Sequence, residues 1–415
     1  MATTYSTANT FSLGDLGKTA LVNEVAQSDD IGSRPFDVRL SSSFSENGET
    51  YWNGIYHKAI EGFAFFRACD LSPPPSFKLS GLSVSENGKP IAGAPVFETS
   101  VSLDLVFDGV ARRIVAGLGR VLPSIANIPI MGIGTPYSHD LNLAFEPKLD
   151  AGKRERALAG MLDVLEADAR RKKADIVLLK DVSADMQTVV NDELVRRGYS
   201  CMSALPIARL RTPSTEAEYW DSLSGNMRSN LRRRLKRAKN IRIEIRKSAD
   251  GIEAELEALR ASTLERASTS YDVFEEVAPN FYGEVLRSMG EDARLLTYWL
   301  DDVLIGFSFV LLGRDMLVQT YNGMRYPEGP DNGLFYLDWM TQVRLCMEKG
   351  IPLMQSGVTT YLIKARLGCE FHRSFIYVRH RYRVMNALIR AISPMIHLEQ
   401  GDPGLKELGE SAPYV

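Results

Sequence analysis

The chain has 415 residues, of which 45% are hydrophobic, and this allows two ordinary domains with cores of their own. Its formal net charge of −3 excludes a general attraction to nucleic acid or anionic membranes, so such binding requires a local patch. The four cysteines are scattered, with neither C-x-x-C spacing nor a nearby histidine, which argues against metal sites and disulfide scaffolds and favours a reducing cytoplasm.

The order of folded and polar segments predicts two domains between two mobile ends. Residues 1–33 are rich in Ser, Thr and Asn and lack the regions of a signal peptide. Domains are predicted over 34–210 and 211–397, and the polar, turn-prone residues 398–415 are expected to form a mobile tail. No apolar stretch approaches the ~18 residues that a transmembrane helix needs.

A weak internal repeat begins in the first domain with a hairpin over 82–97, whose turn is Asn87-Gly88. An amphipathic helix follows and leads into a short buried strand at 176–179. The apolar stripe of that helix consists of Leu158, Leu162, Leu165 and Ala169. The copy ends with a basic pair before Gly198. Residues 100–147, between hairpin and helix, are predicted to add strands and a long loop.

The second copy repeats this order after a basic helix. That helix, 227–239 (MRSNLRRRLKRAK), carries seven cations in 13 residues, mostly on faces away from its apolar stripe. The hairpin at 296–311 turns at Asp301-Asp302, and a second amphipathic helix precedes a strand at 351–354. A lysine-bearing strand-turn, 361–368 (YLIKARLG), closes the copy. Two mixed sheets flanked by helices, an α/β fold with mixed α+β sheets, follow from this order.

The basic helix has a functional and a structural interpretation. Arginine clusters bind phosphates, so the helix could hold tRNA, the pyrophosphate of coenzyme A or an anionic acceptor. A solvated helix face is the structural alternative. The candidate substrate- or carrier-binding residues on this helix are Arg228, Arg232, Arg233 and Lys236.

The basic helix and the lysine-bearing segment, about 130 residues apart in this order, together resemble the second half of the Fem-type aminoacyltransferases. The chain is thereby similar to the Fem-type, CelD-like branch of the GNAT superfamily. The resemblance implies two tandem GNAT-like domains, a catalytic second domain, and transfer of an acyl group. It is strongest over 220–379.

Lys364 is the principal catalytic candidate, because the resemblance implies that it stabilises negative charge as the carrier ester is attacked. A fixed ammonium in a water-poor groove stabilises such an oxyanion by a few kcal/mol. Tyr321 follows a predicted central strand, 316–320, where GNAT-type folds splay two strands and admit the acyl carrier; Tyr361 could act as a general acid. Further candidates are Asn322, Asn332, Thr359 and Thr360 for substrate binding, and Asp331 or Asp338 for orienting an amine. Each has packing, capping or surface exposure as its structural alternative.

The donor and acceptor stay open at this stage. The segment 325–333 has glycines at unusual spacing and two prolines, which argues against the usual pyrophosphate loop for coenzyme A. No tightly bound cofactor or metal is predicted; the acyl donor is a co-substrate, either acyl-CoA, an acyl-carrier protein or an aminoacyl-tRNA. A small-molecule amine is the expected acceptor, and DNA is not an expected partner. Since no nucleophile elbow is present, direct attack without a covalent enzyme intermediate is the preferred mechanism.

Three functions remain after this reasoning. The preferred one is an N-acyltransferase, followed by a Fem-like aminoacyl-tRNA-dependent transferase that acts on an envelope precursor or a secondary metabolite. A non-catalytic binding protein with the same fold is the third. The basic amphipathic segment 381–397 allows peripheral membrane contact or packing on its own domain.

Overall fold

The computed structural model describes residues 36–57, 59–102, 127–266 and 274–415. The strands are β1 Asp37–Ser41, β2 Lys78–Glu86, β3 Lys89–Ser102, β4 Asn127–Ile133, β5 Ala144–Phe145, β6 Ile176–Ser183, β7 Ser200–Ser203, β8 Ile207–Arg211, β9 Arg242–Arg246, β10 Ala293–Leu300, β11 Val303–Leu312, β12 Met316–Met324, β13 Leu353–Gln355, β14 Glu370–His372 and β15 Ser374–His380. The helices are α1 Gly48–Ile55, α2 Phe63–Leu71, α3 Ala151–Arg171, α4 Ala184–Arg196, α5 Glu216–Ser222, α6 Gly225–Arg237, α7 Glu253–Leu264, α8 Phe281–Met289, α9 Glu328–Asp331, α10 Leu334–Lys349, α11 Tyr361–Arg366, α12 Arg383–Ile392 and α13 Pro403–Leu408.

Two mixed sheets form the framework, and each contains one of the predicted hairpins. The first sheet runs β1-β2-β3-β4-β6-β15-β7, with β5 beside β3, and the second runs β14-β8-β13-β12-β11-β10-β9. Both hairpin turns have two residues at positive φ, Asn87-Gly88 in one and Asp301-Asp302 in the other. Such turns match the twist of the paired strands, so both predicted hairpins are confirmed.

One parallel pair lies at the centre of each sheet, β4 with β6 and β12 with β13. A long helix connects the strands of each pair: α3 in the first half and α10 in the second. The predicted apolar stripe of α3 is buried along its length, and Met340 and Val343 of α10 are likewise buried. The repeated order of hairpin, helix and strand is therefore confirmed. Residues 103–126, part of the predicted long loop, lie outside the described residues.

Each half contributes one strand to the sheet of the other half. β8 follows β7 in the chain but pairs with β13 and β14 of the second sheet. In return, β15 follows β14 but pairs with β6 and β7 of the first sheet. The predicted domains 34–210 and 211–397 therefore do not coincide with the two sheets. An alternating sequence indicates a strand but not its partner, which explains the difference.

The C-terminal part of the chain differs from its prediction in two places. The lysine-bearing segment is a short helix, α11, rather than a strand-turn, and it lies between Thr360 and Gly368, both at positive φ. Residues 398–415, expected to be mobile, pack on the second half: Leu405 of α13 joins its core. The backbone of Phe371 also bonds to Pro413 and Val415, at 2.8 and 3.1 Å. Residues 1–33 lie outside the described residues.

Candidate active site

A cavity of about 490 Å³ opens where β12 and β13 diverge. The two strands pair only from Met316 to Val318, after which β12 continues to Met324 while β13 ends at Gln355. The gap exposes the edge of β12 at the carboxyl end of the parallel pair, a usual place for a ligand. Six of the predicted residues line this cavity: Tyr321, Asn322, Asp338, Thr359, Thr360 and Lys364.

Lys364 extends from α11 to the cavity wall and is almost fully buried, with 4% of its surface exposed. Its ammonium donates hydrogen bonds to the carbonyl oxygens of Ser356 and, at 3.4 Å, Gly357. Burial lowers the pKa of this lysine to about 8, because a buried charge loses its hydration. Lys364 is therefore mostly charged at neutral pH, but it releases its proton far more readily than a surface lysine.

A hydrogen-bonded series of side chains connects the Lys364 region to Asp338 on α10. Ser356 Oγ donates to Gln319 Oε1 at 3.0 Å, and Gln319 Nε2 donates to Asp338 Oδ2 at 3.2 Å. Tyr298 donates to the other carboxylate oxygen at 2.7 Å, and Gln342 Nε2 donates to Oδ2 at 2.9 Å. Burial raises the pKa of the Asp338 carboxyl, although these donors act in the opposite direction. The series gives the floor of the cavity a fixed arrangement of donors and acceptors.

His139 enters the cavity from the first half, on the loop between β4 and β5. Its Nε2 lies 3.7 Å from the position that a Cβ would take on Gly357, the residue whose carbonyl Lys364 contacts. Burial lowers the pKa of His139, which favours the neutral imidazole. Lys180 holds this loop by donating to the carbonyls of Thr135 and Ser138 at 3.1 and 2.7 Å.

Sequence reasoning missed His139 because the loop was interpreted only as part of the insertion between hairpin and helix. A single histidine in such a loop has no periodicity or motif that would connect it with Lys364. The association becomes visible only when the two halves are packed together.

Tyr321 also lines the cavity, in contact with Arg260 of α7. The Arg260 guanidinium lies 4.4 Å from the centre of the tyrosine ring and donates to the Glu275 carboxylate at 2.7 Å. Burial raises the pKa of Tyr321 well above its ordinary value, so its hydroxyl keeps its proton at any physiological pH. Both Arg260 and Glu275 line the cavity but were not singled out from the sequence.

The structure separates the remaining predicted residues from the cavity lining. Tyr361 is fully buried and its hydroxyl donates to the Pro206 carbonyl at 2.7 Å, which indicates a packing role rather than general acid catalysis. The Asn332 amide donates to the Glu328 carbonyl at 2.9 Å and stabilises its own turn. None of the four predicted cations of α6 is among the described residues that line the cavity: Arg228, Arg232, Arg233 and Lys236. Arg234 of the same helix lines it instead.

Residues 225–355 match the family described as "Acetyltransferase (GNAT) domain". This segment is a GNAT domain. The chain is similar in fold to the crystal structure of FemX, with a TM-score of 0.52 and 13% identity over 79% of this chain and 93% of FemX. A protein of unknown function from Bacteroides thetaiotaomicron is similar with a TM-score of 0.50 and 10% identity, over 82% of this chain and 99% of that protein. A tandem GNAT protein from the clavulanic acid biosynthesis pathway is similar with a TM-score of 0.43 and 13% identity, over 76% of this chain and 87% of that protein.

No curated protein matches the sequence significantly. At these identities the structural likeness shows the fold: a Fem-like arrangement of two tandem GNAT-like halves, as the sequence predicts. The GNAT domain and this fold support acyl transfer as the class of reaction, without specifying donor or acceptor.

In the GNAT domain, the turn before α10 is closed by its own hydrogen bonds. The backbone amides of Gly329, Asp331, Asn332 and Gly333 bond to carbonyls within residues 325–330, at 2.8 to 3.1 Å. A Cβ on Gly333 would lie 2.7 Å from the Arg234 carbonyl, so α6 packs directly against the start of α10. These four amides are therefore already satisfied, and they are not free to cradle a pyrophosphate.

Proposed function

We propose that the protein transfers an acyl group from an activated carrier to the amine of a small molecule, by direct attack in the cavity of the GNAT domain. The observation that carries the proposal is the approach of Lys364 and His139 to one residue, Gly357, from opposite halves of the chain. The Lys364 side chain is a cation, and His139 favours the neutral imidazole, which can accept a proton. This is the pair that amide formation requires.

In this scheme the acceptor nitrogen attacks the carbonyl carbon of the donor, and the carbonyl oxygen becomes an oxyanion. The Lys364 ammonium stabilises that negative charge through the donor hydrogen that its two carbonyl contacts leave free. His139 takes the proton that the nitrogen loses on forming the C–N bond. The bond to the carrier then breaks, and the carrier leaves as a thiol or hydroxyl once it has gained a proton.

Tyr321 is suited to supply that last proton. Its raised pKa means that the hydroxyl remains a donor, and the Arg260 guanidinium against its ring fixes its position. Asp338, which also lines the cavity, is suited to orient the acceptor amine. Both roles are proposals of the same scheme.

Coenzyme A bound in the usual GNAT manner is not the preferred donor, because the backbone amides before α10 are bonded within their own turn. A different acyl carrier fits the site better. Arg234 offers an alternative contact for a phosphate. Its guanidinium lines the cavity beside the Tyr336 ring, and its buried Nε has no hydrogen-bond partner among the described residues. An acyl-carrier thioester, whose phosphate lies on the carrier arm, fits this arrangement.

An aminoacyl-tRNA is the second candidate donor, and the outer face of α6 favours it. Arg228, Arg232, Arg233 and Lys236 lie on the same helix as Arg234, and all of them except Arg228 are exposed. Exposed cations on a helix that also lines the cavity would suit a polyanion whose acylated end must enter. The sequence resemblance to the Fem-type aminoacyltransferases supports the same choice.

The test is a transfer assay with acetyl-CoA, a phosphopantetheinyl acyl-carrier protein, and total tRNA charged with radiolabelled amino acids, each with a pool of primary amines. Transfer from one donor, abolished in Lys364→Met, supports the proposal; loss of transfer after ribonuclease treatment assigns tRNA. Arg234→Met should raise KM for the donor, whereas the exposed Arg237→Met is the matched control. Binding of donors without turnover would instead support the non-catalytic alternative.

A further inference from the structure

Helix α12 exposes Val384, Met385 and Leu388 to solvent, while Asn386, Ile389 and Ile392 are half-buried on its other side. Asn386 faces inward: its amide donates to the Gly198 carbonyl at 2.9 Å and its oxygen accepts from the His380 backbone at 2.9 Å. Arg390 also reaches the Gly198 carbonyl, at 3.4 Å. A surface helix normally packs its large apolar side chains against the protein. The described residues of the chain therefore leave the apolar face formed by Val384, Met385 and Leu388 uncovered.

The exposed side of α12 carries several large apolar side chains. The exposed fraction is 81% for Val384, 52% for Leu388 and 43% for Met385. Met395, 80% exposed, and Leu398, 43% exposed, follow the helix in the chain. No residue of α12 is buried by the described part of the chain. A single exposed apolar side chain is normal on a protein surface, whereas several large ones in one patch indicate an interaction site.

Positive charge borders this face. Residues 381–398 contain Arg381, Arg383 and Arg390 but neither Asp nor Glu. Arg381 and Tyr382 stand at the beginning of the helix, and both are exposed. Basic residues and a tyrosine around an apolar helix face are typical of helices that lie in the plane of a membrane interface.

We propose that the apolar face of α12, from Val384 to Leu398, docks on an anionic lipid surface. Its apolar side chains would enter the acyl boundary while Arg381, Arg383 and Arg390 stay among the headgroups. A second copy of the chain explains the face less well. Arg381 already pairs with the Asp175 carboxylate at 2.8 Å. A symmetric dimer through this surface would bring Arg383 and Arg390 of both copies together, and the described part of α12 offers no carboxylate to neutralise them.

The test is co-sedimentation of the full chain with vesicles of phosphatidylcholine, with or without about 30% phosphatidylglycerol. We expect binding to the anionic vesicles that weakens with salt, and a decrease of at least about tenfold in the partition coefficient for Leu388→Glu. The matched control is Leu71→Glu on α2, since Leu71 is equally exposed at 55% and lies in a different element. This variant should bind within about twofold of the unmodified protein.

Three results would overturn the proposal. The first is no binding to anionic vesicles, and the second is an equal loss in Leu388→Glu and Leu71→Glu. The third is a dimer in solution that Leu388→Glu dissociates while vesicle binding is absent, which would assign the face to a second copy. Because the measurement needs no substrate, its outcome is independent of whether acyl transfer is observed.

Discussion

Replacing Lys364 by Met should abolish transfer while removing a pH-dependent cost to the fold. The ammonium is buried and its pKa falls from 10.5 to about 8, so the unfolded chain binds its proton more tightly than the folded one. Between these pKa values stability therefore rises with pH. The cost is about 3 kcal/mol near pH 7 and falls by about 2 kcal/mol on going to about pH 9.5. Met has no such titration.

The assay is urea unfolding of both proteins at the two pH values. The free energy of unfolding of the unmodified protein, minus that of Lys364→Met, should rise by about 2 kcal/mol between them, since the hydrogen bonds to Ser356 and Gly357 contribute a nearly constant offset. Lys236→Met, at an exposed position of α6, is the matched control and should show no such rise. A difference for Lys364→Met that stays constant with pH would refute the buried, weakened ammonium.

His139→Gln should lower kcat by about 10²- to 10⁴-fold. In the unmodified enzyme, kcat should fall as the pH drops below 6.5, because the imidazole, whose pKa is lowered, becomes protonated there. The variant should show no such decrease of kcat at low pH. If the decrease is retained, His139 is not the base. Gly333→Ala should destabilise the protein by about 1–3 kcal/mol in thermal unfolding, because φ is +72° and the new Cβ would meet the Arg234 carbonyl; an unchanged melting temperature would contradict that packing. Ending the chain at His372 removes β15, so the first sheet should lose its order as measured by hydrogen exchange in β6 and β7, and normal protection there would contradict the strand exchange.

Local patterns predicted much of the framework. The turns at Asn87-Gly88 and Asp301-Asp302 carry residues that tolerate positive φ, and the stripe of α3 follows from helical spacing. These features depend on neighbours in the chain, so sequence reasoning reaches them. The exchange of β8 and β15 depends on which sheet edge is nearest in space, and the sequence of a short strand contains no such information.

The candidate site shows the same limit. The Lys364 segment was recognisable by resemblance, but its helical form was not, because six residues are too few for a period to appear. The cations of α6 were evident, whereas only packing against Gly333 determines that Arg234 is the one beside the cavity. His139 belongs to the other half, and no sequence spacing relates it to Lys364.

The most direct test of acyl transfer in the cavity is to occupy the cavity without altering the core. Asn322 is exposed on its lining, so Asn322→Trp should fill the entrance while the protein stays folded. Transfer of radiolabel into amides, measured with the donor and amine pools above, should fall at least about tenfold, as expected when a site is blocked. Asn240→Trp, an exposed position outside the cavity lining, should keep the full rate. Full transfer by folded Asn322→Trp would contradict the assignment of this cavity as the site of the reaction.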